Sequence, residues 1–305
     1  MGVANTLEYA KLFQATLDKQ MIAQATSGWM EPNASLVQYN GGNEVKIPKL
    51  NMDALGNYDR TNGFVEGAVT FGYETRQMTQ DRGRTFQLDS MDVNETNFVA
   101  TAAAVMGEFQ RTKVIPEVDA YRYSKIASVA IGGGRSATYT PDEATILKQL
   151  KQDIYAIQDV IGEVPLVITM STILTGVLSN TPDLAKQLNV VEFSQGDVKT
   201  QIKAIDSNPI KPVPSARMKT AYVFRDGKTA GQEAGGFVPA AGAKDVHWII
   251  TPRNVPIAIS KTDNMRIFDP ATNQKADAWK IDYRKYHELW ILDNALPSVF
   301  VRTGA

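Results

Sequence analysis

The stretch YETRQMTQDRGRTFQLDSMDVNET, residues 73–96, alternates side chains as a β-strand does, meets a charged glycine turn and then alternates again. This pattern predicts a β-hairpin that turns at Asp81, Arg82 and Gly83, where glycine supplies the positive φ that such turns often need. Both faces of the hairpin are polar, so it has little apolar surface to bury against a core of its own. We therefore expect something outside the subunit to complete it.

An extended region precedes this hairpin and a long helix follows it. Residues 44–50 and 67–80 alternate as strands, and the polar residues 51–63 between them predict the tip of a projecting loop. Asn94 is the expected cap of the helix, because apolar residues recur after it at helical spacing. Pro116 breaks or restarts this helix, and a run of three glycines, which we interpret as a hinge between domains, ends it.

The chain start predicts an amphipathic helix on an irregular arm. Asn5 and Glu8 form a capping box, and apolar residues that include Phe13 and Leu17 recur at steps of three and four up to Gly28. The stretch that follows, WMEPNASLVQYNGGNEV, has no clear period. Such a helix packs either on its own core or on a neighbouring molecule.

The second half of the chain predicts an α/β region. Thr140 is the expected cap and Pro141 the first residue of a helix with a buried apolar stripe. Residues 164–170, VPLVITM, are typical of a buried central strand, and Ser171 is placed to cap the next helix. The Gly- and Ala-rich residues 225–245 predict a mobile surface loop, and further strands close the chain.

Composition excludes several classes of protein. The 305 residues are 43% hydrophobic and 21% charged, which is ordinary for a globular chain. The 32 basic and 33 acidic residues leave a net charge of −1, which gives no overall attraction to nucleic acid or to an anionic membrane. There is no cysteine, and no apolar run is long enough to span a bilayer, so we expect neither disulfides nor thiolate metal sites nor a membrane-spanning segment.

Residues with catalytic potential are few and scattered. The two histidines, His247 and His287, lie inside strand patterns without carboxylate partners at metal-binding spacing, so we interpret them as structural. The sequence GGGRSAT lacks the Gly-Lys-Ser/Thr of a phosphate loop. The acidic residues that could pair as acid and base lie at hairpin ends and helix starts, where carboxylates are favoured electrostatically: Asp89, Asp92, Glu117 and Asp119. We therefore predict no catalytic site, no cofactor and no metal.

The order of these elements resembles a known family. The stretches YETRQMTQDRGRTFQLDSMD, KVIPEVDAYRYSKIA and IFDPATNQKADAWKIDYRKYHELW are similar to the coat proteins of prophages of Gram-positive hosts. The arrangement over nearly the whole chain resembles the major capsid protein of tailed bacteriophages (Caudoviricetes), the Hong Kong 97 type coat fold of the α+β class. The specificity of the resemblance comes from the combination and order of the stretches.

The resemblance implies a division of the chain and a set of partners. The expected parts are an N-terminal arm (1–43), an E-loop β-hairpin (44–91), the spine helix of a P-domain (92–134), an A-domain (135–255) and C-terminal strands that return to the P-domain (256–305). The implied partner is the chain itself, in the pentamers and hexamers of an icosahedral shell around double-stranded DNA. A separate scaffolding protein and a portal are also implied, with packaged DNA on the inner face without specific binding. The protein would be made in the bacterial cytoplasm and reside in the virion.

In that family the E-loop reaches over the neighbouring subunit, which accounts for a hairpin that is polar on both faces. We therefore predict contacts between subunits through Phe13 and Leu17 of the arm and through the charged residues of the hairpin, which are Arg76, Asp81, Arg82 and Arg84. Two alternatives stay open at this point. One is a shell protein of an encapsulin-like nanocompartment, and the other is an unrelated α/β enzyme.

Overall fold

The computed structural model describes residues 25–36, 44–61, 63–89, 105–181, 188–195, 198–273 and 276–305. The strands are β1 (Glu44–Met52), β2 (Val69–Gln77), β3 (Gln80–Asp89), β4 (Ser136–Thr138), β5 (Leu166–Ser171), β6 (Leu188–Gln195), β7 (Val198–Ile205), β8 (Asn208–Val213), β9 (Tyr222–Phe224), β10 (Phe237–Pro239), β11 (Val246–Pro252), β12 (Ile257–Phe268), β13 (Ala278–Trp290) and β14 (Phe300–Thr303). The α-helices are α1 (Ile115–Gly132), α2 (Ile146–Ile161) and α3 (Thr172–Ser179). Shorter 3-10 helices span Gly28–Leu36, Ser215–Arg217 and Asp293–Ser298.

The largest sheet has seven strands in the order β4-β14-β11-β5-β8-β7-β6. It is mixed, because β5 pairs with β8 and β14 with β4 in parallel, whereas the other neighbours are antiparallel. The predicted central strand is confirmed as β5, and all of its residues are buried. The cap is confirmed as well, since the Ser171 hydroxyl accepts a bond from the Leu174 amide at the start of α3.

Helices cover both faces of this sheet. On one face α2 and α3 pack Leu150, Ile154 and Leu174 against strand residues such as Ile168. On the other face α1 packs together with Trp29 against Val167, so successive residues of β5 enter different cores. This alternation is the reason why a continuously apolar strand forms the centre of the region.

A second sheet has three antiparallel strands in the order β12-β13-β3. Its apolar residues Phe86, Met265 and Ile281 pack against α1 and the helical residues 105–109 that precede it. Between those residues and α1 lies a π-helical turn, Gln110–Val114. Pro116 follows this turn as the second residue of α1. Proline has no amide hydrogen, so it cannot continue the helical hydrogen bonds from the residues before it. The helix ends at the predicted glycine run.

The predicted turn at residues 81–83 is wrong, because β2 and β3 belong to different sheets. β2 pairs with β1, whereas β3 pairs with β13. Gly83 lies inside β3 without a positive φ. A Cβ atom at Gly83 would lie 2.7 Å from the carbonyl oxygen of Tyr283, so glycine is needed for the close approach of β13 rather than for a turn. The chain passes between sheets at Met78 and Thr79 instead.

The predicted start of the helix at Pro141 is also wrong. The carboxylate of Asp142 accepts hydrogen bonds from the amide of Ala144 and the hydroxyl of Thr145. These bonds hold a turn ahead of the helix, and α2 begins only at Ile146. The proposed helix caps Asn5 and Asn94 lie outside the described residues.

Candidate interaction surfaces

The strands β1 and β2 form a two-stranded sheet of their own, which we call the ribbon (residues 44–77). The ribbon is anchored at its root by Val45 and Ile47, which are 0% and 3% exposed. These two side chains pack in a cluster with Ile257 of β12 and Trp290 of β13. The prediction of a loop between the two strands is confirmed but its bounds of 51–63 are wrong, because β1 continues to Met52 and β2 begins only at Val69.

The other face of the ribbon carries uncovered apolar side chains. Residues that lie directly opposite in an antiparallel pair share a face, and Leu50 lies opposite Phe71 as Met52 lies opposite Val69. We call this set, together with Tyr73 on the same face, the apolar strip. Its five residues are 55–66% exposed. The rings of Phe71 and Tyr73 pack edge to face with centroids 5.2 Å apart.

The connection between the strands extends this apolar surface. Its large apolar residues are Leu55, Tyr58, Phe64 and Val65, and each is at least 60% exposed. The rings of Tyr58 and Phe64 lie 4.9 Å apart, so they form one cluster. Asp53 closes the loop, because its carboxylate accepts a 2.8 Å bond from the amide of Ala68. Neighbouring exposed apolar residues mark interaction surfaces, and nothing in the described part of the chain covers these.

This surface was not predicted from the sequence, where the expected contacts were two apolar residues of the arm and the charges of the hairpin. A signal was present in EVKIPKLNM, residues 44–52. Val45 and Ile47 occupy odd positions, whereas Leu50 and Met52 occupy even ones, so a strand must present them on opposite faces. Within β1 the apolar side therefore changes from the core face to the outer face.

Arg82, a predicted contact between subunits, has partners within the chain. It forms an ion pair with Glu117 of α1. Its guanidinium also donates to the carbonyl oxygens of Arg225, at 2.9 Å, and Gly236, at 3.4 Å. The same group lies 5.8 Å from the ring centroid of Phe224. Arg82 therefore joins β3, α1 and the loop between β9 and β10.

Two further charges of the predicted set are also paired within the chain. Arg76 contacts Glu74 on its own strand, and its Nη2 donates to Oδ1 of Asp293 at 2.8 Å. Asp81 accepts two bonds from Arg284 of the neighbouring strand β13, at 2.8 and 2.5 Å. The hydrogen bonds from Arg284 hold the pKa of Asp81 below its ordinary value. Both side chains therefore have partners within the chain. Contacts of Arg76 and Asp81 with a neighbouring subunit stay a prediction.

The remaining predicted contact residues differ in position. Arg84 donates through both terminal nitrogens to the carbonyl oxygen of Glu233, each at 3.1 Å. The structure therefore brings Arg82 and Arg84 together at the glycine-rich loop, at residues 225–236. Phe13 and Leu17 lie outside the described residues, and their contacts between subunits stay a prediction.

Asp119 is a structural anchor. Its side chain is 0% exposed and accepts bonds from the amides and hydroxyls of Thr26 and Ser27, at 2.6–3.1 Å. Arg217 adds a charged contact at 2.9 Å. Burial of a carboxylate is costly unless several donors surround it, and here five do. Asp119 therefore binds residues 26–27 to α1.

The other residues weighed for chemistry do not converge. His247 lies in β11 and His287 in β13, which belong to different sheets. Asp89 ends β3, and Asp92 lies outside the described residues. Over the described ranges, no three His, Asp or Glu side chains come together in a way that could hold a metal ion. The helices of the same ranges include none that is both long and apolar enough to cross a membrane.

Comparison with solved structures defines the class of fold. A mature capsid of bacteriophage PhiM1 matches with a TM-score of 0.57 at 10% identity, over 87% of this chain and 83% of that chain. A structure from Microbacterium phage Oxtober96 matches with a TM-score of 0.53 at 12% identity, over 90% and 91% of the two chains. The capsid structure of Staphylococcus phage Andhra matches with a TM-score of 0.53 at 11% identity, over 87% and 81%.

The chain therefore has the fold of bacteriophage capsid proteins, with mixed helices and sheets, and this part of the resemblance is confirmed. A scan against protein-family models gives no match, and a search of curated proteins gives no relative. The identities to the solved structures are only 10–12%, so this comparison shows the fold alone.

Proposed function

We propose that this chain is the major capsid protein of a tailed bacteriophage, of the Hong Kong 97 type, and that it assembles into an icosahedral shell around double-stranded DNA. The observation that carries the proposal is a phage-capsid fold whose ribbon leaves an apolar strip uncovered in the single chain. An uncovered strip favours association, because a second copy can remove it from water. The role is structural rather than enzymatic.

The ribbon takes the part of the E-loop, which reaches over the neighbouring subunit. The long helix that ends at Gly132 takes the part of the P-domain spine within residues 92–134. Six strands of the seven-stranded sheet, with α2 and α3, fall in the A-domain, residues 135–255, and the seventh, β14, comes from the C-terminal segment and pairs with β11 and β4. Residues 256–305 supply β12 and β13, which pair with β3 beside the spine, and residues 1–43 form the arm. The arrangement of the described elements supports this division except at two strands, because β3 pairs with β13 and not with the ribbon, and β14 joins the seven-stranded sheet.

Electrostatics supports passive enclosure of DNA. A net charge of −1 gives the chain no strong overall affinity for a polyanion, and strong binding would oppose both ordered packing and release. A separate scaffolding protein and a portal complete the proposed assembly. The protein would be made in the cytoplasm of a bacterium, with a Gram-positive host as the narrower proposal, and would reside in the virion.

Electron microscopy of the purified, expressed chain tests the proposal. We expect closed shells or ring-shaped capsomers. A chain that stays monomeric at high concentration would contradict the proposal. Analysis of particle contents from infected cells then separates a capsid from a nanocompartment, because a capsid holds DNA and a nanocompartment holds a protein cargo.

A loop replacement tests the role of the ribbon. Replacing residues 51–63 with a short Gly-Ser turn removes Leu55 and Tyr58 from the apolar surface but leaves the root with Val45 and Ile47 in place. We expect nearly unchanged circular dichroism and thermal melting, since closure entropy depends only weakly on loop length. The same variant should form few or no closed particles. Normal shell yields would show that the loop has no part in assembly.

A further inference from the structure

Two residues separate the ribbon from β3, and we call them the break. Side chains of β13 form hydrogen bonds with both residues. Met78 and Thr79 lie between β2 and β3. The Tyr286 hydroxyl donates to the carbonyl oxygen of Met78 at 3.0 Å. The amide and the hydroxyl of Thr79 both donate to Oε2 of Glu288, at 3.0 and 2.7 Å. The backbone at the break is therefore fixed by side chains and not by sheet pairing alone.

Glu288 connects this break to the long helix. Its other oxygen, Oε1, accepts bonds from the hydroxyl of Tyr121 on α1 and from the amide of Leu289. Glu288 is 1% exposed, and four donors compensate for the burial of its charge. Burial and the bond to Glu288 raise the pKa of Tyr121, so its hydroxyl keeps the proton that it donates. One carboxylate thus ties together the ribbon root, β13 and α1.

The angle at which the ribbon leaves the subunit matters, because the ribbon is long and a small tilt at its root moves its far end. Its strands have nine residues each, which corresponds to a length of about 30 Å. A tilt of roughly 10° at the root would therefore move the far end by about 5 Å. The apolar contacts of Val45 and Ile47 hold the root without favouring one direction, because apolar contacts are non-directional. Hydrogen bonds to a fixed carboxylate are directional.

We propose that Glu288 is a positioning residue, which sets the direction in which the ribbon leaves the subunit and so determines how the apolar strip meets the neighbouring copy. The inference rests on the proposed function for its effect on assembly. The contacts of Glu288 also predict an effect on hydrogen exchange and on the direction of the ribbon in the single chain, whether or not it forms shells.

The variants are chosen so that folding is preserved. Thr79→Val removes the hydroxyl donor at almost constant volume, Thr79→Ser keeps it, and Glu288→Gln removes the charge of the acceptor. Thr85→Val is the matched control, because the Thr85 hydroxyl donates to Asp282 at 2.8 Å across the same pair of strands. Thr85 lies six residues beyond the break, so its bond does not hold the ribbon root.

Hydrogen exchange measures the bonds directly. In Glu288→Gln we expect a peptide that spans residues 76–81 to exchange about tenfold faster, since bonds to a charged acceptor contribute more than bonds to a neutral one. Thr79→Val should show a smaller acceleration, and Thr79→Ser should restore the original rate. The control Thr85→Val should leave this peptide unchanged. Unchanged exchange of residues 76–81 in both Glu288→Gln and Thr79→Val would overturn the proposal.

Spin labels measure the direction of the ribbon. The chain has no cysteine, so Thr70→Cys near the far end of the ribbon and Ser128→Cys on α1, both exposed positions, give one label on each part. With labelled chain diluted in unlabelled chain, we expect one narrow distance distribution. Thr79→Val should broaden it about twofold, consistent with release of local order, whereas Thr85→Val should not. A distribution that stays narrow in Thr79→Val and Glu288→Gln would contradict the proposal even if exchange rates change.

Electron microscopy of the same variants links the position to assembly. We expect uniform particles from the original chain and from Thr85→Val, and particles of mixed diameter or open sheets from Thr79→Val. Uniform particles from Thr79→Val, with a broadened distance distribution, would overturn the effect on assembly. If the original chain forms no shells and the distances still broaden, the proposed function fails and the positioning role of Glu288 holds.

Discussion

Leu50 of β1 lies directly opposite Phe71 of β2, and both side chains are more than half exposed on the outer face of the ribbon. Packing between two opposite side chains contributes modestly to a sheet, and the contribution depends on how far the pair is buried. In the proposed shell, a neighbouring copy would cover this pair and remove it from water.

We therefore expect Leu50→Ser with Phe71→Ser to abolish shells while the chain stays folded. Exposed substitutions change the free energy of unfolding by about 0.5 kcal/mol or less. The control is Ile47→Ala on the buried face of the same strand, which should cost about 2–4 kcal/mol. Melting curves and sedimentation of the assembled fraction measure both effects. Normal shells from the double variant would show that the strip is not an interface.

Charge reversal at Arg82 should destabilise the chain itself. Arg82→Glu would place two carboxylates together at Glu117 and remove the donors to Arg225 and Gly236, so we expect a loss of about 1–3 kcal/mol in a denaturant titration. The charge swap Arg82→Glu with Glu117→Arg should recover part of this loss. Unchanged stability combined with lost assembly would instead support the prediction that Arg82 forms a contact between subunits.

Stability should fall between pH 7 and pH 5 because of His287. Burial, together with the neighbouring Arg122, Lys285 and Arg82, holds the pKa of His287 well below its ordinary value. Below a pH of about 6.5 the unfolded chain binds a proton that the folded chain excludes. The free energy of unfolding then falls by up to about 1.4 kcal/mol per pH unit.

His287→Gln should flatten this dependence, as urea titrations at several pH values would show. His247→Gln should remove a further part, because burial also lowers the pKa of His247. An equally steep loss of stability in His287→Gln would assign the effect to other groups.

Two glycines in consecutive strands of the chain, β2 and β3, should respond differently to alanine. Gly83→Ala would press a methyl group against the carbonyl oxygen of Tyr283, so we expect a loss of about 1–3 kcal/mol. Gly72→Ala on the ribbon meets no atom within 4 Å and should be neutral or stabilising by about 0.5 kcal/mol. Thermal melting compares the two. A tolerated Gly83→Ala would show that β3 and β13 can separate at this point.

Local patterns in the sequence predicted the parts of the fold that depend on near neighbours. The buried strand β5 and the cap at Ser171 follow from apolar continuity and a single hydroxyl. The partner of β3 does not, because residues 278–290 lie far along the chain and their side chains alternate no more clearly than those of β2. Two strands that follow each other in sequence resemble a hairpin until their hydrogen-bonded partner strands are known.

The site was less predictable because its contacts are distant in sequence. Thr79 and Glu288 are separated by 209 residues, and Thr26 and Asp119 by 93. No spacing rule connects such positions. The alternation that separates Ile47 from Leu50 was the only local signal of the apolar strip, and its meaning depends on which face of the ribbon meets the core.

The change of apolar face between Ile47 and Leu50 constrains the length of the chain more strictly than its composition. Deleting one residue between them would turn the outer half of β1 over, so Leu50 and Met52 would point to the same side as Val45. The pairing with β2 would shift by the same step. Many apolar side chains could replace Leu50, but no insertion or deletion in this part of β1 would preserve both faces. The described residues between the strands, 53–61 and 63–68, carry no paired register with β1 or β2, so a change of length there would leave both faces of β1 in place.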